Sequence, residues 1–325
     1  MKVIIPLAGL GTRLRPHTYS KPKPLVNVAG KPVLGHILDK LVGLHPEEII
    51  FITGYLGDQI EDYVRRHYAF PARFIEQSER RGQSDAIYLA REAIDQPVLI
   101  IFVDTIFEAD LPALERLTTD GALYVKEVED PSRFGVVQMR EGLITRLVEK
   151  PKHYVSNLAV IGVYYLRNWK MLFQAIEEQM AQESPTNGEY FLADALQRMI
   201  DRGARLQVLP VSVWEDCGTP EAVLQCNRYL LAQASSQEIR LNHSIVIPPV
   251  FIAPTAEVSN SIVGPYVTIG DNTRIDNSIL RDCIVNDGSF LENVVLRDSL
   301  IGSHATVRGA YRRLNMGDSS EIFFE

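Results

Sequence analysis

Apolar residues follow two rhythms along this 325-residue chain, and the change of rhythm divides it. Up to about residue 235, short continuous apolar runs alternate with stretches in which apolar positions recur every three or four residues. The run at 2–7 predicts a central parallel strand covered on both faces, 48–53 and 72–76 predict further strands, and 97–103 an apolar strand. The stretches at 33–44, 58–68, 84–94 and 170–182 predict amphipathic helices, and 206–213 predicts a further strand. Strand alternating with helix implies βαβ units, an α/β domain and a mostly parallel sheet. Ligands of open sheets of that kind sit beyond the carboxyl ends of the strands.

A polar stretch, Q-A-S-S-Q-E, begins at Gln233, and beyond it the rhythm changes. Ile247, Ile252, Val258, Val263, Ile269, Ile275, Leu280, Val285, Leu291, Leu296, Ile301 and Val307 recur every five or six residues, with Gly, Asn and Asp between them. That is the hexapeptide pattern of a short parallel β-helix, with about three such repeats to a coil. The division expected is therefore 1–235, a linker at 236–244, and 245–325, with the tail L-N-M-G-D-S-S-E-I-F-F-E as a cap. So short a solenoid leaves an open end, which predicts packing on its own first domain or self-association into a homo-oligomer.

Composition narrows the class. A hydrophobic content of 46% suits a buried core, and a net charge of −8 argues against general nucleic-acid binding, whose footprint is basic. No apolar run approaches the roughly 20 residues of a membrane span and no signal peptide opens the chain, so a cytoplasmic protein with no membrane partner is expected. Three cysteines, Cys217, Cys226 and Cys283, lack metal-type spacing and are expected to be separate buried thiols.

Against this acidic background the first 38 residues contain no Asp or Glu, while Lys2, Arg13, Arg15, Lys21, Lys23 and Lys31 are cationic. Gly9 and Gly11 follow the first strand, where glycine lets a chain pass close to a ligand and expose N–H groups to phosphate oxygens. The spacing lacks the third glycine of the dinucleotide fingerprint, and no P-loop is present. The string A-G-L-G-T-R, followed by P-K-P-L at 22–25, resembles the signature of the sugar-1-phosphate nucleotidyltransferases, whose usual form is A-G-G-x-G-T-R or A-A-G-x-G-T-R with P-K-x-L/M.

That resemblance implies a nucleotide site at Leu7, Ala8, Gly9, Gly11, Thr12 and Arg13, with Lys23 on the triphosphate. Q-S-E-R-R-G-Q-S-D-A at 77–86 resembles the family's base-reading loop, which implies that Gln77 reads a pyrimidine edge with the Gly82 backbone against it. A carboxamide can serve both the donor and the acceptor of uracil or thymine. Gln83-Ser84 departs from the Leu/Thr-Ala of relatives and leaves the nucleotide preference open. Asp104, at the end of an apolar strand, is costly unless paired or holding a metal. The family has G-D-N here, and W-E-D-C-G-T matches its W-x-D-x-G-T, so Asp104 and Asp216 are implied as a Mg²⁺ pair.

The strings E-D-P-S-R-F-G-V-V, L-V-E-K-P and S-N-L-A-V-I-G-V-Y-Y resemble the sugar-binding half. They imply Gly135, Glu149, Asn157 and Tyr164 around a hexose and Lys150 on its phosphate, with Glu189 beside them. The whole implies transfer of a nucleoside monophosphate from an NTP to a sugar 1-phosphate, with Arg13, Lys23, Asp104 and Asp216 as the catalytic set. The C-terminal repeats look most like the long-form glucose-1-phosphate thymidylyltransferases, whose β-helix is left-handed. A uridylyltransferase, a non-catalytic sugar-nucleotide-binding regulator and an enzyme with a second, acyl-transferring site are the alternatives.

Overall fold

In a computed structural model of the protein, residues 1–182, 188–234, 241 and 243–310 are described. Of these, residues 1–27, 31–182 and 188–226 form one compact unit and residues 28–30, 227–234, 241 and 243–310 the other. The division falls inside a helix at Cys226/Asn227, ahead of the polar stretch in which the sequence suggests a linker. Most of that stretch lies outside the described residues, as does the tail beyond residue 310.

The first unit is built on a nine-stranded sheet. Its strands in chain order are β1 (Lys2–Pro6), β2 (Glu48–Thr53), β3 (Ala72–Glu76), β4 (Val98–Ile101), β6 (Gly121–Glu127), β7 (Gly135–Arg140), β8 (Leu143–Glu149), β9 (Leu158–Leu166) and β10 (Leu206–Pro210). A separate ribbon pairs β5 (Thr105–Glu108) with β11 (Val213–Asp216). The sheet order is β3-β2-β1-β4-β9-β6-β10-β8-β7. Its first four strands are parallel, with Ile4 opposite Ile50 on one side and Ile100 on the other. β1, β2 and β4 are apolar runs of the sequence whose side chains alternate between two buried faces, whereas β3, at the sheet edge, is A-R-F-I-E and has no buried residue. Ile4, Ile50, Ile52, Val98 and Ile100 join one core with Ile87, Leu172, Ile176, Leu192 and Leu196. Those last five lie on α3 (Gln83–Tyr88), α4 (Trp169–Ala181) and α5 (Leu192–Asp201). On the other face Phe51 stacks on Phe74 at 5.0 Å, and Arg65 of α2 (Gly57–His67), the helix that follows α1 (Val33–Val42), lies over Phe74.

The expectation of a mostly parallel sheet holds for this half only. Beyond β4 the sheet is mixed, because β9 runs antiparallel to both β4 and β6 while β7 and β8 form a hairpin. The hairpin turns on Glu141 and Gly142, both at positive φ (54° and 78°), the geometry that matches the twist of its strands. The run 206–213 is also not one strand. Pro210 ends β10 and the chain restarts as β11 in the separate ribbon, where Asp216 comes opposite Thr105. Cys217 and Cys226, expected as separate thiols, form a disulfide with Cα atoms 6.5 Å apart; Cys283 is a buried free thiol.

In the second unit parallel strands stack at a spacing of 16 or 17 residues: Val250 pairs with Val267, Arg274 with Phe290, Ile279 with Val295. Residues at positive φ recur at the same spacing in three series, at Asn260, Asn277 and Asn293, at Tyr266, Asp282 and Asp298, and at Asn272, Gly288 and His304. Asn and Asp tolerate that conformation. Val258, Val263, Ile269, Ile275, Leu280, Val285 and Leu291 of the sequence repeat fill the interior, while Ile247 is exposed.

Candidate active site

Two adjoining cavities open at the carboxyl ends of the first-unit strands. The larger, about 430 Å³, is floored by the turn that leaves β1. Leu7, Ala8, Gly9, Gly11 and Thr12 line it, joined by Lys23, Gln77, Gly82 and Asp104. Gly11 sits at φ 62°, and its carbonyl accepts from Leu14 N at 2.9 Å and Thr18 Oγ1 at 2.8 Å, so the turn is fixed from behind. Nothing lies within 4 Å of where a Cβ on Gly9 would stand. Its lack of a side chain therefore serves no packing within the protein and leaves room above the backbone.

The loop after β3 forms another wall. Gly82 has φ 115°, and a Cβ there would come within 2.5 Å of the Tyr190 backbone nitrogen. Tyr190 N donates to Arg81 O at 2.8 Å and Ser84 N to Tyr190 O at 2.9 Å, so the segment is pinned on both sides of the glycine. Gly82→Ala is expected to tear this wall open, destabilising the fold by about 2 kcal/mol and weakening by at least about tenfold the binding of the nucleotide that the sequence resemblance implies here. Calorimetric titration together with thermal melting would check it; wild-type values in both would mean that the loop adapts.

The smaller cavity, about 190 Å³, is lined by Arg13, Gly135, Glu149, Lys150, Tyr164 and Asp216, and by Asp104, which also lines the larger one. The hairpin register sets Glu149 opposite Gly135, where a Cβ would stand 2.9 Å from Glu149 Oε2. Lys150 turns at φ 44° out of the end of β8, with Nζ 3.7 Å from Glu149 and 4.9 Å over the Phe191 ring. Burial pushes the Glu149 carboxyl up; Lys150 opposes this and Asp194 and Glu189 add to it. Tyr164 is buried and its hydroxyl is pushed up by burial and by Glu149 and Asp104. A register shift in β9 between Val160 and Tyr164 bends Ile161 and Gly162 into this cavity.

Asp104 and Asp216 meet at the junction. The ribbon brings them together: Asp216 opposes Thr105 and Cys217 N donates to Asp104 O at 2.8 Å. Asp104 Oδ2 accepts from Lys23 Nζ at 3.2 Å. Burial raises the Asp216 carboxyl, Asp104 raises it further, and Lys23, Arg13 and Arg133 pull it back. Two carboxylates near enough for one to raise the other, at the end of one ribbon, are of a chemistry that would suit a cation. No cluster of three or more metal-type side chains occurs among the described residues, so a cation here would draw its other ligands from oxygens of a substrate or of water.

Three implied residues lie elsewhere. Arg13, grouped with the nucleotide residues by resemblance, lines the smaller cavity. Asn157 lines neither cavity; it is exposed ahead of β9 and its carbonyl accepts from Val128 N. Glu189, grouped with the sugar residues by resemblance, lines the larger cavity. Of the early cations, Arg13 and Lys23 line one or other of these two cavities. Lys2 is buried at the opposite end of β1 and paired with Asp95 at 2.9 Å, and Lys31 pairs with Asp39. Three residues were not singled out from sequence. Arg133 lines the smaller cavity with Nη2 3.7 Å from Asp216, Arg80 lines the larger, and Asp85 is buried behind Gln77. Arg133 stands inside the quoted string E-D-P-S-R-F-G, where an arginine among acidic residues was the available signal.

A glycine turn off the first strand of a parallel half-sheet, with two carboxylates and two cations at its edge, defines a nucleotide-handling α/β fold. The family model described as nucleotidyl transferase matches residues 2–233, and the chain belongs to that family. Glucose-1-phosphate thymidylyltransferase of Streptomyces griseus is 31% identical over 98% of this chain and 98% of its own. The bifunctional protein GlmU of Methanocaldococcus jannaschii is 36% identical over 76% of this chain, a match that spans only 59% of that relative's length. Among solved structures, a putative glucose-1-phosphate thymidylyltransferase from Bacillus anthracis superposes with a TM-score of 0.64 at 26% identity, over 73% of this chain and 98% of that one. No helix among the described residues is long and apolar enough to cross a membrane.

Proposed function

We propose that the protein transfers a nucleoside monophosphate from dTTP or UTP to a sugar 1-phosphate, with glucose 1-phosphate the favoured acceptor, and releases pyrophosphate. The observation that carries this reading is the pair of cavities joined at Asp104, one floored by the glycine turn and the other lined by Glu149, Lys150 and Arg133. The Streptomyces relative, a glucose-1-phosphate thymidylyltransferase, and the putative one from Bacillus support the same acceptor.

The chemistry asks little of the protein in proton transfer. A sugar phosphate is largely dianionic at neutral pH, its second pKa being about 6, so no general base is required. Its oxygen attacks the α-phosphorus, the bond to the bridging oxygen breaks, and pyrophosphate leaves in line. What the reaction needs is alignment of two polyanions and relief of their repulsion. In this reading Lys150 and Arg133 take the sugar phosphate, Lys23 the triphosphate and Arg13 the leaving pyrophosphate. Glu149 holds sugar hydroxyls with both oxygens while Tyr164 bounds the ring. Asp104 and Asp216 would hold Mg²⁺, which when bound supplies positive charge beside the α-phosphate. The stacked strands of the second unit are read as a left-handed parallel β-helix.

Pyrophosphate release, measured with dTTP, UTP, CTP, GTP and ATP against glucose, N-acetylglucosamine and mannose 1-phosphates, tests the proposal. Turnover is expected with dTTP or UTP and a gluco-configured acceptor. Nucleotide binding without turnover of any pair would replace it with a non-catalytic, sugar-nucleotide-binding role.

A further inference from the structure

The amide of Gln77 has only one way to face. Gln77 follows β3, is 6% exposed and lines the larger cavity. Its Nε2 donates to Asp85 Oδ2 at 2.8 Å and to Gly82 O at 3.2 Å. A carboxylate and a peptide carbonyl only accept, so the amide oxygen cannot take that side. The acceptors are themselves fixed. Asp85 lies in the first turn of α3, is 4% exposed, and accepts at its other oxygen from Arg81 Nη2 at 2.7 Å. Gly82 is held against the Tyr190 backbone. With both hydrogens of Nε2 committed, Gln77 Oε1, which has no partner among the described residues, is left for the cavity.

We propose that Asp85 is a positioning residue that selects the nucleobase by locking the Gln77 amide with its oxygen outward. This rests on the reading in which the larger cavity takes the nucleotide. An outward oxygen accepts and cannot donate, so it complements the N3–H of uracil or thymine. Cytosine has a lone pair at N3, and two acceptors would then face each other across the contact. The locked amide thus excludes a pyrimidine of the same size by polarity and not by volume. It also revises the expectation that Gln77 serves both a donor and an acceptor of the base, since its donor side is spent inside the protein.

Equilibrium binding of UTP and CTP, followed by calorimetry, reads the effect without depending on turnover. Wild type is expected to bind UTP at least about tenfold more tightly than CTP. In Asp85→Asn the new amide can offer Gln77 either a donor or an acceptor, and only the longer 3.2 Å bond to Gly82 O still opposes turning, so the amide is no longer locked. The UTP:CTP ratio should then fall by about tenfold, mainly through tighter CTP binding. Arg81→Ala, which keeps the Asp85–Gln77 bond, should keep the ratio. Gln77→Leu, which leaves no amide to orient, should bring it near one, and serves if Asp85→Asn does not fold. An unmoved ratio in Asp85→Asn with binding intact, or a retained preference in Gln77→Leu, overturns the role of Asp85. A wild type that binds neither nucleotide takes down the nucleotide reading of the cavity, and this proposal with it.

Discussion

Asp216→Asn is expected to lower turnover by about 10²–10³-fold and, at neutral pH, to raise the melting temperature by a degree or more. The two effects have one origin. Asp216 is half-buried beside Asp104, and the cations around it only partly offset burial and like charge. Its folded pKa lies above the ordinary 3.8, so the folded state binds the proton more tightly than the unfolded chain does. The cost of keeping Asp216 charged is therefore fully present above the folded pKa, shrinks as pH falls through it, and is absent below 3.8. The asparagine variant avoids that cost. Its stability advantage should hold at pH 7 and fade toward about pH 4, which melting curves across that range would measure. The carboxylate is kept at this cost because in the proposed reaction its charge binds the cation. A variant with wild-type turnover would remove Asp216 from the reaction; one without the pH-dependent gain would refute the electrostatic account.

Asp104→Asn separates the two effects. It should lower turnover comparably, because Asp104 borders both cavities. It should bring no matching gain in stability, since Asp104 accepts from Lys23 at 3.2 Å and its loss leaves that ammonium without its carboxylate. The pair thus consists of one carboxylate matched by a lysine at 3.2 Å and one that faces Arg133 at the longer distance of 3.7 Å.

β1, β2 and β4 were legible because strands buried on both faces must be mostly apolar. The runs at 48–53 and 72–76 coincide with β2 and β3. The stretch 84–94 shows what periodicity cannot resolve. α3 ends at Tyr88 and a tighter turn follows at Arg91–Ala93, yet Ala86, Ile87, Ala90, Ala93 and Ile94 all reach the same core. A three-to-four spacing is satisfied by either helix, so burial does not distinguish them. The mixed half of the sheet was hidden because its order depends on pairings between distant strands, such as β6 with β10 and β4 with β9. The site followed the same division. Residues in linear strings, such as Gly11, Lys23 and Glu149, were legible where they stand. Lys2 misled because charge alone does not say which end of a strand a side chain leaves from. Asp85 and Arg133 went unnoticed because each acts against a partner, Gln77 or Asp216, that only the fold brings within reach.

Arg13→Ala is expected to cost about 10²–10³-fold in turnover with little change in stability. Arg13 follows the glycine turn, and its neighbour Leu14 is fully buried and anchors the segment. Its own guanidinium stays exposed, free of any carboxylate within bridging distance among the described residues, and reaches the smaller cavity. A Cβ on Gly218 would stand 2.9 Å from Arg13 Nη2 and 2.8 Å from Asp216 Oδ1. The glycine of W-E-D-C-G-T therefore makes room for an arginine from the other end of the domain to approach the aspartate. Removing an exposed side chain that supports no core costs little folding energy, whereas removing a fork of donors from the departing pyrophosphate costs transition-state stabilisation. Arg13→Lys should restore only part of the rate, because a point charge replaces two parallel donors. The loss should appear in kcat with nucleotide binding nearly unchanged, since charge on the leaving group grows as its bond to the α-phosphorus breaks. A variant in which nucleotide binding weakens and kcat does not would make Arg13 a ground-state ligand of the triphosphate, and the departing pyrophosphate would then depend on Lys23 instead.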